Sequence, residues 1–146
     1  QRGIAYYYAG RFRDGGRQFE IHKGVNPNDV ENAVWHFRCK AKLVGVAAAR
    51  AALLPVGPDN RVPMMRVYDL FGGRATPAQV ERDAESTSGQ QAESAMFYCH
   101  LYLGLYYEAL GDLKSSRHHM LVASEKHTSP YYMGDIARMH AALRQR

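Results

Sequence analysis

The chain has 146 residues, of which 46% are hydrophobic, and a formal net charge of +5. This length suits one domain with a substantial core and is too short for two ordinary domains. Leu, Ala, Tyr and Met supply most of the hydrophobicity, and β-branched runs are few, which favours an all-helical fold. The best apolar stretch, residues 43–56, is interrupted by Arg50 and ends among prolines, so no membrane-spanning helix is predicted.

The charge is unevenly distributed along the chain. Residues 1–66 contain eleven Lys or Arg against five Asp or Glu, whereas residues 67–93 contain two against five. A basic half beside an acidic middle indicates a partner with an acidic protein surface, or an anionic membrane surface nearby. A solvated helix exterior is the alternative interpretation.

The first half of the chain contains two related units of helical spacing. In residues 1–29, small and large apolar residues alternate at three- and four-residue steps, at Gly3, Tyr6, Phe12, Gly15 and Phe19. The same spacing returns about 34 residues later, at Val46, Ala49 and Leu53. A second unit is therefore predicted over residues 30–63, with its second helix reaching Leu53. Since the first unit starts part-way through its pattern, we expect a processed or partial chain.

The pattern weakens in residues 64–96, which form a short and degenerate third unit. The segment MMRVYDLF, residues 64–71, predicts an apolar helix that ends at Gly72-Gly73. Thr76, Pro77 and Gln79 predict a helix start with an N-cap and a capping box. The polar segment ESTSGQQAES, residues 85–94, predicts an exposed loop.

The clearest unit covers residues 97–128. Its apolar residues recur at helical spacing, stop at Gly111-Asp112 and then resume, which predicts two helices joined by a tight turn. Residues 129–145 predict a closing helix, YYMGDIARMHAAL, with Met133, Ile136 and His140 on one face.

These units resemble tetratricopeptide (TPR) repeats, which are about 34 residues long. The matching positions in the last unit are Leu103, Gly104, Tyr107, Gly111-Asp112, Leu113, Met120 and Ala123, with Ser116 where the family usually has Ala. The resemblance implies a single all-α domain, a right-handed superhelical solenoid of TPR-like helical hairpins over residues 1–29, 30–63, 64–96 and 97–128. A C-terminal capping helix would cover its last open face.

The segments VENAVWHFRCKAKL and FYCHLYLGLYYE carry a narrower resemblance. The order of elements is similar to that of a family of small TPR proteins from plants and algae, mostly chloroplast-directed, and more distantly to bacterial TPR lipoproteins. This implies a non-enzymatic accessory or assembly subunit of a large organellar, photosynthetic membrane complex. Its expected location is the chloroplast, associated with the thylakoid and peripheral to the membrane; the mitochondrion is the alternative.

In TPR arrays the first helix of each hairpin lines the concave face. Carrying the family's positions over gives a partner-binding face that is aromatic and apolar with a basic edge, formed by Tyr8, Trp35, Arg38, Lys42, Tyr68, Tyr98, Tyr102 and Leu105. Tyr, Trp and Arg are enriched at interface hot spots. Truncating Trp35 is therefore expected to weaken partner binding with the fold retained. The alternative is that Trp35 or Tyr102 lies in the chain's own core.

No enzymatic motif is present in the sequence. It lacks a G-x-S-x-G turn and a phosphate-binding glycine loop, and its seven histidines lack C-x-x-C or H-E-x-x-H spacing. We therefore expect no enzyme, no cofactor and no metal; an enzyme that uses His118, His119 and His127 with a metal is the third interpretation. Cys39 and Cys99 are expected as reduced thiols in helices. An organellar RNA-binding helical repeat is the second interpretation, because the chain is basic and rich in Tyr.

Overall fold

The computed structural model describes residues 1–145, and within that range the chain is all-helical without any strand. The all-α prediction is confirmed. The helices are α1 (Arg2–Tyr8), α2 (Phe12–Lys23), α3 (Val30–Val44), α4 (Val46–Ala51), α5 (Met64–Phe71), α6 (Pro77–Glu85), α7 (Ala92–Leu110), α8 (Leu113–Leu121) and α9 (Tyr132–Arg144). A 3₁₀ turn, Gly89–Gln91, precedes α7, and a π-helical turn, Val122–Lys126, continues α8.

Neighbours in sequence are neighbours in space. Each of α1, α3, α5 and α7 packs against the helix that follows it, and α2 and α6 also pack against the next hairpin. In addition, α1 contacts α3, α3 contacts α5, and α5 contacts α7. Helices α1, α3, α5 and α7 thus form one continuous layer with the even-numbered helices beside them, and α9 packs against α8 and the π-helical turn.

Small residues allow α7 and α8 to approach closely. The hydroxyl of Ser116 donates to the carbonyl of Gly104 at 2.7 Å, and a Cβ at Gly104 would lie 3.0 Å from Met120 Cε. The turn between the helices has Gly111 at φ +83°, and Asp112 caps α8 by accepting from Ser115 N at 3.0 Å. The predicted pair of helices joined by a tight turn over this segment is confirmed.

The third hairpin also follows its local signals. Helix α5 covers MMRVYDLF, and α6 begins at a capping box in which Thr76 and Gln79 exchange hydrogen bonds of 3.3 and 3.0 Å. The loop predicted over residues 85–94 is too long, because α7 already begins at Ala92. Cys39 and Cys99 are free and buried in α3 and α7, as predicted.

Helix α4 is shorter than predicted. It ends at Ala51 rather than reaching Leu53, and residues 52–63 contain no regular helix. Pro55 and Pro58 lack an amide hydrogen, so this segment cannot continue an α-helix. Ion pairs of Arg61 instead tie the segment to the start of α3. The hairpins otherwise fall near the predicted unit limits, and the assignment of the units as TPR repeats stays a prediction.

Candidate functional site

The eight residues of the predicted concave face divide into two groups. The side chains of Tyr8, Lys42, Tyr68 and Tyr98 keep part or all of their exposure. Those of Trp35, Arg38, Tyr102 and Leu105 are buried, with exposures of 2% or less. The structure therefore places half of the set in the chain's own core, where the sequence analysis expected an open groove. The expectation that Trp35 is an accessible anchor is not met.

Helix α9 lies beside α1 at one side of this face. Near its start, Tyr132 and Met133 line the same cavity as Arg2 and Ile4 of α1. Near its end, His140 lies 2.7 Å from the Tyr8 hydroxyl. Since both contacts occur in the same order along the two helices, α9 runs in the direction of α1.

Glu108 on α7 is the centre of a buried ionic network. Its carboxylate accepts from His140 Nε2 at 2.7 Å, from Arg38 Nη2 at 3.0 Å and from Arg144 Nε at 3.0 Å. A carboxylate only accepts, so Nε2 is the donor of His140 and Nδ1 is left to accept from the Tyr8 hydroxyl. We call these five residues, including Tyr8, the Glu108 network. It joins α1, α3, α7 and α9.

The electrostatics of this network favour a fixed ion pair. Burial alone would raise the pKa of Glu108, but the hydrogen bonds from His140 and Arg144 and the nearby Arg38 charge hold it well below its ordinary value. Burial raises the pKa of Tyr8 to about 12, so its hydroxyl keeps its proton at neutral pH. Neither group is suited to proton transfer near pH 7. The network instead holds the four helices together.

Arg38 enters this network from a largely aromatic environment. Its guanidinium lies 4.2 Å from the ring centre of Tyr7 and 4.5 Å from that of Trp35. It also donates to the Tyr7 hydroxyl at 2.9 Å. Cation–π contacts and the Glu108 carboxylate together compensate the desolvation of a side chain that is only 2% exposed.

A cavity of about 560 Å³ remains open where α1, α2, α3 and α9 meet. We call it the α1–α9 cavity. Its walls combine apolar, aromatic and charged side chains, including Ile4, Phe19, Trp35, Tyr132, Met133, Arg2, His22, Asp29 and Glu31. Its volume lies within the range of about 300–1,000 Å³ that is typical of ligand sites. Of the eight residues of the predicted concave face, Trp35 alone lines this cavity.

The carboxylates of this cavity are held in place by Arg61. The guanidinium pairs with Asp29 at 3.2 Å, with Asp59 at 2.7 Å and with Glu31. The Tyr102 hydroxyl donates to the other oxygen of Glu31. Burial raises the pKa of Glu31, although Arg61 and Tyr102 act in the opposite direction. These ion pairs fix the two carboxylates on the cavity wall.

Histidines form a separate cluster where α7 meets α8 and the π-helical turn. His100 Nδ1 and His119 Nδ1 are 2.9 Å apart, and the ring of His127 stacks on His100 at 5.9 Å. His127 also pairs with Glu93 at 2.8 Å. Burial and neighbouring positive charge lower the pKa of both His100 and His119 to about 4. Over residues 1–145, no three His, Cys, Asp or Glu side chains are arranged to hold a metal ion.

Several residues of the candidate sites were not predicted from the sequence. Glu108 is the twelfth residue of the unit that begins at residue 97. TPR repeats place their twelfth residue on the concave face, so the resemblance could have indicated Glu108. His140 was placed on one face of the closing helix, but nothing in the sequence showed that this face meets α1. Asp59 and Arg61 lie in an irregular segment, where periodicity gives no information.

Comparisons with known proteins do not assign the chain to a family. No family model matches it, and no curated protein matches it significantly. Within residues 1–145, no helix is both long enough and apolar enough to cross a membrane.

Proposed function

We propose that the protein is a non-enzymatic protein-interaction scaffold, a right-handed stack of TPR-like hairpins that α9 caps. The succession of contacts from α1 to α3, α5 and α7, with a second helix packed beside each, supports this architecture. A rigid helical surface loses little conformational entropy when a partner binds. Binding is therefore the role to which this fold is best suited.

The α1–α9 cavity is the observation that carries the proposal. It is concave, its apolar walls come from Ile4, Phe19 and Met133, and it has two carboxylates at fixed positions. Apolar walls with a few fixed polar groups are what a site for an inserted side chain requires. Because Arg61 already pairs with Asp29 and Glu31, and Arg2 also lines the cavity, its apolar walls rather than a net charge would select the inserted side chain.

We further propose that the partner is a subunit of a large organellar, photosynthetic membrane complex, and that this protein is a peripheral accessory or assembly subunit of it. The support is the resemblance of VENAVWHFRCKAKL and FYCHLYLGLYYE to the small chloroplast family. The organellar RNA-binding role stays the alternative, supported by the net charge of +5.

The experiment that tests the cavity is a selection of short random peptides displayed on phage. Selected peptides are measured against the wild-type protein and against His22→Trp, which places an indole in the cavity entrance. The matched control is His118→Trp, because His118 is exposed on α8 and does not line the cavity. Loss of binding in the first variant alone supports the proposal. Equal binding of the peptides to both variants would show that they bind outside the α1–α9 cavity.

A salt titration separates protein binding from RNA binding. The logarithm of the affinity for a nucleic acid falls steeply and linearly with the logarithm of salt concentration, because phosphate contacts release counterions. A single-stranded RNA oligonucleotide that binds more tightly than any selected peptide, with such a slope, would favour the alternative.

A further inference from the structure

A second recess, separate from the α1–α9 cavity, runs along the seam between α2 and α3. It has a volume of about 740 Å³, and we call it the α2–α3 groove. It is lined by Phe12, Arg13, Gly16, Arg17, Glu20, Cys39, Lys40, Leu43, Val44, Ala48 and Ala52. The cavity uses Gln18, Phe19 and His22 of α2 instead. The two sites therefore occupy different faces of that helix.

The shape of the groove is set by two antiparallel helices. Glu20 meets His36 at 3.0 Å and Lys40 at 3.8 Å, and the position of a Cβ at Gly16 lies 3.8 Å from Cys39 Cβ. The trough thus follows α2 from Glu20 back to Phe12. Eight residues of α-helix rise about 12 Å, or roughly two turns.

The large apolar side chains that line the groove are more exposed than Leu and Val side chains usually are. Leu43 is 45% exposed and Val44 is 60% exposed, and they are followed by the small residues Ala48 of α4 and Ala52 just after it. Although α3 packs against both α2 and α4, these two helices are not packed along one another. The trough between them is therefore not filled by the described chain.

Its charge is positive and largely unneutralised. Within residues 1–145, neither Arg13 nor Arg17 forms an ion pair, and both side chains are exposed. Glu20 is the one acidic residue of the lining, and hydrogen bonding from His36 lowers its pKa. Glu20 is thus already engaged by His36 and Lys40. The unmatched cations of α2 complement acidic side chains on whatever occupies the trough.

We infer that the α2–α3 groove is a docking site for an acidic amphipathic α-helix of a partner protein. A helix about two turns long fills a trough whose walls are helices, and its apolar residues at i and i+4 meet Leu43 and Val44. Its flanking Asp or Glu residues pair with Arg13 and Arg17. Strand addition is disfavoured, because residues 1–145 contain no strand edge. A proline-rich ligand is disfavoured because Phe12 is the single aromatic residue of the groove lining.

This site rests on the proposed scaffold function and adds to it a second docking surface, which prefers an acidic partner. A scaffold that joins two partners needs two such surfaces. The groove is tested with variants that leave the cavity untouched, so failure of one proposal is distinguishable from failure of the other.

The probe is a fluorescent synthetic helix that carries Leu at i, i+4 and i+7, with Glu on both flanks. Its analogue has Lys in place of every Glu. Fluorescence anisotropy measures the affinity of each peptide for the folded protein. We expect binding of the acidic peptide and at least tenfold weaker binding of the basic one, since tenfold corresponds to only about 1.4 kcal/mol.

Two variants locate the site. Arg13→Glu with Arg17→Glu reverses the charge, and Gly16→Leu fills the floor, where a Cβ has ordinary contact distance to Cys39. We expect circular dichroism to show that both variants remain folded. Both are expected to bind the acidic peptide at least tenfold more weakly than the wild type does. The matched control is Arg82→Glu on the exposed surface of α6, which is expected to bind as the wild type does.

The inference is overturned by equal binding of both peptides, or by acidic-peptide binding that survives both groove variants. Self-association of the protein without peptide, abolished by the same variants, would assign the groove to a second copy of this chain. Adsorption to vesicles of anionic phosphatidylglycerol, without peptide binding, would assign it to a membrane surface. Either result replaces the proposed partner.

Discussion

Glu108 on α7 and His140 on α9 are joined by a 2.7 Å hydrogen bond, although they lie 32 residues apart in sequence. The same imidazole meets the Tyr8 hydroxyl of α1, 132 residues away, at 2.7 Å. Through this single ring the last helix is attached to the first.

Removing the charge of Glu108 is expected to destabilise the protein strongly. The variant Glu108→Gln keeps the shape of the side chain but leaves the guanidinium of Arg38, which is 2% exposed, without its counter-charge. Breaking one side of a buried ion pair typically costs about 3–5 kcal/mol. The free energy of unfolding in urea, followed by circular dichroism, measures the loss.

The double variant Glu108→Leu with Arg38→Leu separates the charge from the packing. Because neither charge is then buried alone, its destabilisation is expected to be smaller than the sum of the two single changes. Strict additivity would show that Glu108 and Arg38 do not depend on one another. As a control, Asp135→Asn removes an exposed partner of Arg138 and is expected to change stability by less than about 1 kcal/mol.

Trp35→Ala is expected to unfold or severely weaken the fold rather than only weaken binding. The indole is 1% exposed and contacts the rings of Tyr7 and Tyr8 at centroid distances of 5.5 and 6.0 Å. Truncating a buried Trp typically costs about 3–5 kcal/mol. Since this is the only Trp, circular dichroism rather than intrinsic Trp fluorescence follows the urea transition.

Tyr98→Ala is the matched aromatic truncation. Tyr98 is only partly buried, at the margin of the core, and its ring stacks on Tyr102 at 6.4 Å. We expect it to cost clearly less than Trp35→Ala. Equal losses for the two would contradict the burial of Trp35 as the decisive factor.

The individual helices and turns were more predictable from the sequence than the packing of α9 against α1. Helix α5, the Thr76 capping box and the Gly111-Asp112 turn depend on residues a few positions apart, so the sequence contained their complete signal. The meeting of Tyr8 with His140 depends on the curvature summed over all the hairpins. A repeat register tells which residues face inward. It does not tell whether that side stays open to solvent or closes on another helix.

Stability is expected to fall as the pH drops from about 6.5 to about 4. The pKa of His100 and of His119 is lowered from 6.5 to about 4, chiefly by burial. Protonation therefore favours the unfolded chain: their neutral state supports the fold above pH 6.5, and this support is lost progressively below it. Burial also lowers the pKa values of His36 and His140, which adds to the same slope.

Urea unfolding at a series of pH values tests this dependence. His119→Asn removes one of the two facing imidazoles, so it is expected to make the decline between pH 6.5 and pH 4 shallower. The control is the same change at His22, which lies on α2 outside the histidine cluster. A decline of the same steepness in His119→Asn would exclude this residue as a source of the slope.

Two glycine-to-alanine changes are expected to alter stability in opposite directions. Gly111 ends α7 with φ +83° and has no atom within 4 Å of an added Cβ, so alanine there is strained by the backbone alone. The left-handed conformation costs a non-glycine residue about 1–2 kcal/mol. Gly16 lies inside α2, where an added Cβ is 3.8 Å from Cys39 Cβ. Alanine there is expected to stabilise by about 0.5–1 kcal/mol, since glycine is the poorer helix former. The same urea titration measures both, and loss of stability in Gly16→Ala would mean that the floor of the α2–α3 groove has less room than these distances show.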